Sequence, residues 1–484
     1  MILSSIIILG LVIRLYRLDS IPGEMWGDVN EHFELAQRIL SGNFFYHYDF
    51  GGDGPLISYL IAGVAKVIGL SFYSIKLTTV LLDVISILVI YHLALELFQK
   101  KQLAHWASFI WAVSFWSISL SRQGKPYILV PLFVMTAVLF FLKRRTVLSG
   151  LFLGLGMYTQ ASFWGMVLFA LINPVLGLVF LLTALPLFSE FIQHFNIYFG
   201  QGAYIGEKMG LELNVSEKIA NLLTNIFKNS GALFVRGDSV FRHNIPGNPH
   251  LDFITAIFFI IGFLFILWVV YKEKKRSLIF YFFLPFLLSQ LASILDINNP
   301  GNVPNLGRMA GAAPFVVIAS AYGIDRVNLI IAQKKSKLSL IFILSVLAVI
   351  LVINFYNYFF IFPKTLPNNN TPFAKIIASK VDNNSNSSFF GLVGCCWGFA
   401  GQPEPKSINY LLKSNKKIQW FNLEKYPTLD CYSLGTLSKG RKIVLFSNPA
   451  EIYETKLQGC LKNFKIEIIE QNNYQVVKII SGQL

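Results

Sequence analysis

Apolar residues along this chain come in long unbroken runs, and these recur through the first three quarters of the sequence. Each run approaches the roughly 20 residues that a helix needs to cross a bilayer. The pattern therefore predicts a polytopic α-helical membrane protein of about eleven spans. They fall at 1–17, 73–98, 104–120, 125–142, 146–159, 161–174, 175–192, 251–271, 278–295, 307–327 and 338–362. The first run lacks a basic leading region and a small-residue cleavage site, so it is expected to stay as a helix. Residues 55–70 are apolar too, but Lys66 and the glycines around it suggest a helix lying in the membrane plane.

After residue 363 the long runs stop. Short strand-like segments follow at 388–396, 417–423, 441–448, 464–470 and 474–480, with helical patterns at 372–381 and 449–461. In the last of these Asn448 is the expected N-cap and Pro449 the first helical residue. The expected organisation is a transmembrane domain over 1–363 and a soluble α/β domain over 364–484. The first domain carries an amphipathic outer loop at 19–72 and a long outer loop at 193–250.

Composition sharpens this reading. The chain has 484 residues, 54% hydrophobic and 14% charged, where a soluble chain is about a quarter charged. A net charge of +15 would suggest nucleic acid in a soluble protein, but here it first reports topology, and no nucleic-acid partner is expected. Four short connections are almost purely basic: Lys100-Lys101, Lys143-Arg144-Arg145, Lys272 to Arg276 and Lys334 to Lys337. With the N-terminus inside, all four face the cytoplasm, as the positive-inside rule requires. The opposite connections are acidic or polar, with seven carboxylates and one base between Asp19 and Asp53. This scheme places the protein in the cytoplasmic membrane with its C-terminal domain outside. All four cysteines (Cys395, Cys396, Cys431, Cys460) lie in that domain. Disulfides are permitted there, and adjacent cysteines rarely bond each other, so Cys395 and Cys396 are each expected to pair with one of the later two, or all four to stay as buried thiols. Zinc is the less expected use of these cysteines, because no CxxC or nearby His pair occurs, and the sequence leaves a need for a divalent metal open.

The first outer loop, Ile21 to Ala36, holds the most informative chemistry. Asp28 sits near the start of a helical pattern with Glu31 on the same face, and Phe33, Leu35 and Ala36 are expected to turn toward the membrane. A carboxylate at the water–membrane boundary suits a base acting on an acceptor. The alternative makes Asp28 an N-cap and Glu31 its capping-box partner. Basic groups gather on the same expected side: Arg122 and Lys125 after the third span, Arg236, Arg242 and His243 with Asp238 among them at the end of the long loop, and Arg308 at the mouth of the tenth span. Cations there run against the positive-inside trend, and an anionic lipid phosphate would explain them, as would snorkelling to ordinary headgroups. Within the membrane, Asp83 and His92 are costly and thus candidates, either functional or as polar contacts between helices.

No Walker A loop, dinucleotide fingerprint or HExxH motif is present. An external enzyme must then draw an activated donor from the membrane. A polyprenyl-phosphate sugar fits, because its phosphate is already a leaving group. Such a site needs one base for the acceptor and cations for the phosphate, and direct displacement inverts the anomeric carbon.

These same residues resemble the bacterial GT-C type membrane glycosyltransferases of glycosyltransferase family 39, relatives of the protein O-mannosyltransferases and the lipid A aminoarabinose transferase. The resemblance rests on Pro22-Gly23 and Trp26-Gly27-Asp28, on Gly54-Pro55-Leu56 with Tyr59-Leu60, Gly69 and Lys76-Leu77, and on Trp116 through Ser121-Arg122-Gln123-Gly124 with Pro131. It continues in Gly154 to Thr159, Gly237-Asp238, Arg242-His243-Asn244, Pro246 to Pro249, and Asn305 to Arg308 with Pro314. The shared order covers most of 1–330. It implies lipid-linked sugar transfer on the outer face, with Asp28 as the catalytic residue of the first loop. Val29 replaces the family's usual second acid, leaving Glu31 or Asp53 for that place.

The expectation is therefore a glycosyltransferase. Asp28 and Glu31 are its catalytic candidates, and Arg122, Lys125, Asp238, His243 and Arg308 are the groups for donor phosphate or sugar. The acceptor is a lipid, protein or glycan. A flippase for lipid-linked sugars and a non-catalytic envelope scaffold are the competing readings. A carrier would show internal repeats and mid-membrane polar sites, and no clear repeat is visible.

Overall fold

The computed structural model describes the chain except at Trp26, 49–51, 201–202, 335, 384–388, 394–404, 414–417, 423–430, 433–441, 448–458, 461, 472–475 and 484. It divides into two compact units. One comprises Met1–Leu18 and Leu35–Phe362, the other Asp19–Glu34 and Pro363–Leu484. Sequence alone placed the whole of 1–363 in one domain; instead the acidic half of the first loop clusters with the C-terminal segment, for reasons given below.

The first unit is helical, and each expected span coincides with an apolar helix or helix pair. Among the described residues five helices are long and apolar enough to cross a membrane: Phe72–Phe98, Pro174–Gln193, Phe253–Lys272, Ala310–Gln333 and Lys337–Thr365. Helices Lys101–Val113 and Phe115–Arg122 together make a sixth, bent by 53°. The break has a local cause. Ser114 is extended, and its side chain caps the second half by accepting from Ser117 N, while the Phe115 amide, left without a helical partner, donates to Asn354 Oδ1 at 2.8 Å. The remaining apolar helices are shorter (Ile2–Leu15, Pro126–Leu142, Thr146–Gly156, Ala161–Ile172, Ile279–Ile294), and Ala161–Ile172 winds as a 3-10 helix. The expected in-plane segment is a helix, Leu56–Ile68.

Helix starts follow capping chemistry. Ser71 and Ser74 form a capping box ahead of Phe72–Phe98, and Asn173 accepts from Val175 N and Leu176 N ahead of Pro174. One crossing depends on glycine. A methyl group at Gly262 would lie 1.8 Å from Ala319 O, and one at Gly323 2.1 Å from Phe258 O. Only bare backbones can approach this closely between Phe253–Lys272 and Ala313–Lys334, the small-residue contact typical of membrane helices.

The deep polar residue Asp83 is structural. Arg14 Nε donates to it at 2.5 Å and Trp111 Nε1 at 2.8 Å, all three enclosed between helices. The same guanidinium donates to Ala112 O and Ser117 Oγ. His92 takes no part; its ring meets Tyr91 edge-on at 5.3 Å.

The second unit carries a five-stranded sheet in the order β2-β1-β3-β5-β4, where β1 is Phe389–Val393, β2 Ile418–Asn422, β3 Lys442–Ser447, β4 Lys462–Gln471 and β5 Val476–Gln483. The first three strands run parallel, and β5 joins β3 and β4 antiparallel, so all five expected strands are present. Helix Phe373–Asp382 packs Phe373, Ile377 and Val381 with Ile408 and Ile418 into a core. Of the expected helix at 449–461, only Gly459 and Cys460 are helical among the described residues; the rest, Asn448 and Pro449 included, lie outside them. Cysteine pairing differs from expectation: Cys431 bonds Cys460, 29 residues away in sequence, rather than either bonding Cys395 or Cys396, which lie outside the described residues.

Candidate functional site

In the first unit, three of the motifs marked in the sequence converge on one backbone segment, Asn305 to Arg308. The Leu306 amide donates to Asp238 Oδ2 at 2.8 Å, and its carbonyl accepts from Trp116 Nε1 at 3.1 Å. Asp238 also accepts from Val240 N at 2.7 Å and receives no solvent. Burial pushes its carboxyl up to about 7, against the pull of the two amides and of Arg308. Its own amide donates to His250 Nε2 at 3.0 Å. That bond requires a neutral imidazole, and burial pushes His250 down to about 3. Asp238, expected to hold donor, thus ties the long loop to the Arg308 segment.

His243 and Lys125 form a neighbouring group. His243 Nδ1 lies 2.9 Å from Gln123 Oε1, and its carbonyl accepts from Ser119 Oγ at 2.6 Å. Tyr127 meets the His243 ring edge-on at 5.1 Å and lies 5.8 Å from Lys125 Nζ. All three belong to the connection between the third and fourth expected spans and the end of the long loop. Arg122 stands elsewhere. Fully buried, it donates to the Ile13 and Arg14 carbonyls at the end of helix Ile2–Leu15, under the rings of Tyr358 and Phe359. It neutralises the negative end of that helix, a role the sequence reading did not consider.

Arg308 lies beside an apolar cavity of about 320 Å³, walled by residues such as Trp164, Gly165, Leu291 and Leu295. Among the described residues, Arg308 and Lys208 are its two cations, and Ser162 Oγ, in its wall, has no hydrogen-bond partner. Asp296 pairs with both cations: directly with Arg308, and with Lys208 at 3.7 Å. Asn225 fixes the Asp296 segment by donating to the Ile294 and Asp296 carbonyls at 3.0 Å each. Gln160, also in the wall, bridges the backbone of Asp53. Lys208, Ser162 and Asp296 were missed by sequence reasoning. A lone lysine in a long loop carries no signal, and only folding brings it to Arg308.

The second unit holds the first half of helix Gly27–Leu40, whose second residue is Asp28, within the first turn rather than at the cap. Glu31 lies one turn on, 3.8 Å from Lys406 Nζ, which pairs more closely with Glu34 at 2.9 Å. Phe33 does not turn toward the membrane: it is buried, stacked on Tyr410 at 4.3 Å. Phe33 is thus covered by the C-terminal segment, in keeping with the grouping of residues 19–34 with that segment.

Comparison with known proteins gives a consistent fold. Residues 53–198 match the dolichyl-phosphate-mannose-protein mannosyltransferase family. No curated protein sequence matches the chain. Among solved structures, ArnT from Cupriavidus metallidurans bound to undecaprenyl phosphate is 10% identical with a TM-score of 0.56, covering 99% of each chain. The oligosaccharyltransferase AglB from Archaeoglobus fulgidus, in complex with an inhibitory peptide and a dolichol-phosphate, is 13% identical with a TM-score of 0.53, covering 92% of this chain and 69% of its own. This chain therefore has the polytopic membrane fold of the GT-C glycosyltransferases, and over 53–198 it is similar in sequence to the protein mannosyltransferases of that fold.

Proposed function

We propose that this protein transfers a sugar from a polyprenyl-phosphate donor to an acceptor at the outer face of the cytoplasmic membrane, with inversion. The observation that carries this reading is the apolar cavity with two cations, Arg308 and Lys208, in its wall. A donor of this class is greasy at one end and anionic at the other, and the cavity offers both environments. The lipid phosphates named with the two similar structures support the same donor class.

In this reading the guanidinium and ammonium hold the phosphate, and Ser162 Oγ supplies a further hydrogen bond. Asp28 takes the proton from the acceptor hydroxyl or amine as that atom bonds to the anomeric carbon. The carbon–oxygen bond to phosphate breaks on the opposite face, and polyprenyl phosphate leaves as an anion already stabilised by the cations. Glu31, with Lys406 beside it, assists by keeping the charge balance of this helix face. Lys125 and His243, held by Tyr127 and Gln123, contact the sugar or its phosphate. Arg122 supports the first helix instead.

Radiolabelled donor in proteoliposomes separates the alternatives. Transfer of label to an acceptor supports the proposal, and Asp28→Asn should abolish it while the protein still folds. Movement of donor across the bilayer without transfer, or a fully active Asp28→Asn, would overturn it.

A further inference from the structure

The C-terminal segment does more than cover Phe33. Residues on both sides of Asp28, from Ser20 to Glu34, are held by it through specific contacts. Before Asp28, the Glu24 carboxylate is buried and accepts from Ala374 N at 3.0 Å, at the start of helix Phe373–Asp382, and also from Met25 N. Gly23 N donates to Asn370 Oδ1 at 2.6 Å, and Asn370 Nδ2 donates to Ser20 O at 2.7 Å. After Asp28, the fully buried pair Asn30 and Ser407 meet at 2.7 Å. One turn later, Tyr410 stacks on Phe33 and its hydroxyl donates to Glu34 at 2.6 Å, while Lys406 pairs with Glu34 and Glu31.

Lys406, Ser407 and Tyr410 stand on one short helix, Pro405–Leu411, at positions i, i+1 and i+4. The contacts divide by chemistry. Asn30–Ser407 is a dry, directional hydrogen bond, where a lost partner leaves a buried polar group unsatisfied. The Phe33–Tyr410 stack fixes the rotation of helix Gly27–Leu40 about its axis. Together they constrain both the height and the azimuth of Asp28, two residues before Asn30. A base must lie within hydrogen-bond reach of the proton it takes, and a misplacement of about 1 Å can cost roughly a hundredfold in rate.

We infer that the C-terminal domain is a positioning element for the catalytic helix, with Ser407 and Tyr410 as the residues that set Asp28. The inference rests on the proposed role of Asp28 as base. It assigns the domain a function independent of acceptor recognition.

The test is the single-turnover rate constant for sugar transfer by the full-length protein in nanodiscs, measured with saturating donor. Substitutions that merely unfold a fraction of molecules lower the amplitude and leave the rate constant alone. Ser407→Ala and Tyr410→Leu should lower the rate constant roughly ten- to hundredfold with the donor KM unchanged. Ser407→Thr, which keeps the hydroxyl, and Tyr410→Phe, which keeps the stack, should recover most of the rate. Unchanged rate constants in Ser407→Ala and Tyr410→Leu, with Asp28→Asn inactive, would overturn the positioning role and leave the base intact. An active Asp28→Asn would overturn both.

Discussion

Asp238 and His250 face each other across one hydrogen bond in the loop ahead of helix Phe253–Lys272, and burial moves them in opposite directions. Asp238 is raised from 3.8 to about 7. Between those values the folded state keeps a proton that the unfolded state has lost, so this group's contribution to stability falls as pH rises. His250 is lowered from 6.5 to about 3. Across that window the unfolded state holds the extra proton, so its contribution rises with pH. One proton of difference changes stability by about 1.4 kcal/mol per pH unit. From about pH 4 to 6.5 the two slopes are equal and opposite, and the wild-type pair is silent.

Removing either partner should expose the other. Asp238→Asn, which still accepts one of the two amides, should become more stable as pH rises through that window, relative to wild type. His250→Gln, which keeps an acceptor for the Asp238 amide, should become less stable. The single variants then diverge by about 2.7 kcal/mol per pH unit, and the double variant returns to the wild-type slope. Hydrogen exchange of the peptides spanning 232–250 and 303–309, corrected for intrinsic rates, reads this opening free energy directly. Parallel pH dependences in the two single variants would refute the reasoning.

If the proposed phosphate contact of Arg308 is made in both ground and transition states, Arg308→Ala should raise the donor KM about tenfold with a smaller change in kcat; initial rates against donor concentration decide this. Arg122→Ala should leave that KM alone and lower the unfolding temperature instead, since Arg122 serves the carbonyls of Ile13 and Arg14. Asp83→Ala strands the buried Arg14 charge and should cost roughly 3–5 kcal/mol, read as a lower denaturation midpoint in detergent. The paired replacement Arg14→Met with Asp83→Leu should regain most of that loss.

The membrane fold was legible because a bilayer demands the same thing everywhere: long apolar runs with cations at one set of ends. Local interruptions were less visible. The break at Ser114 depends on Asn354, which is 239 residues from the Phe115 amide that it accepts. The strands of the C-terminal domain showed in their alternation, but the pairing of Cys431 with Cys460 depends on how loops close in space. At the candidate site, the motifs around Trp116, Asp238 and Arg308 were each visible, but the partners that their side chains take in the fold were not. A charged residue beside the membrane looks the same in sequence whether it faces a ligand or a carbonyl. Arg122 proved to serve a helix end and Asp238 a backbone amide, while Arg308 reached a cavity with a lysine that nothing in the sequence marked.

The division of the chain has a physical logic of its own. A first loop with seven carboxylates and one base repels itself and has too little apolar surface to order a helix alone. Phe33 and the buried Asn30 are stabilising only if something presents a ring and a hydroxyl at matching heights, and Tyr410 and Ser407 do so. Lys406 offsets part of the acidic charge on the same face, although as a half-exposed pair it contributes little by itself. Order in the helix that carries Asp28 is thus supplied from more than 370 positions away in sequence. Residues 19–34 are therefore set only once the segment after 363 has folded, so truncation after residue 363 should leave the spans inserted and the helix around Asp28 frayed, with fast amide exchange across 24–34.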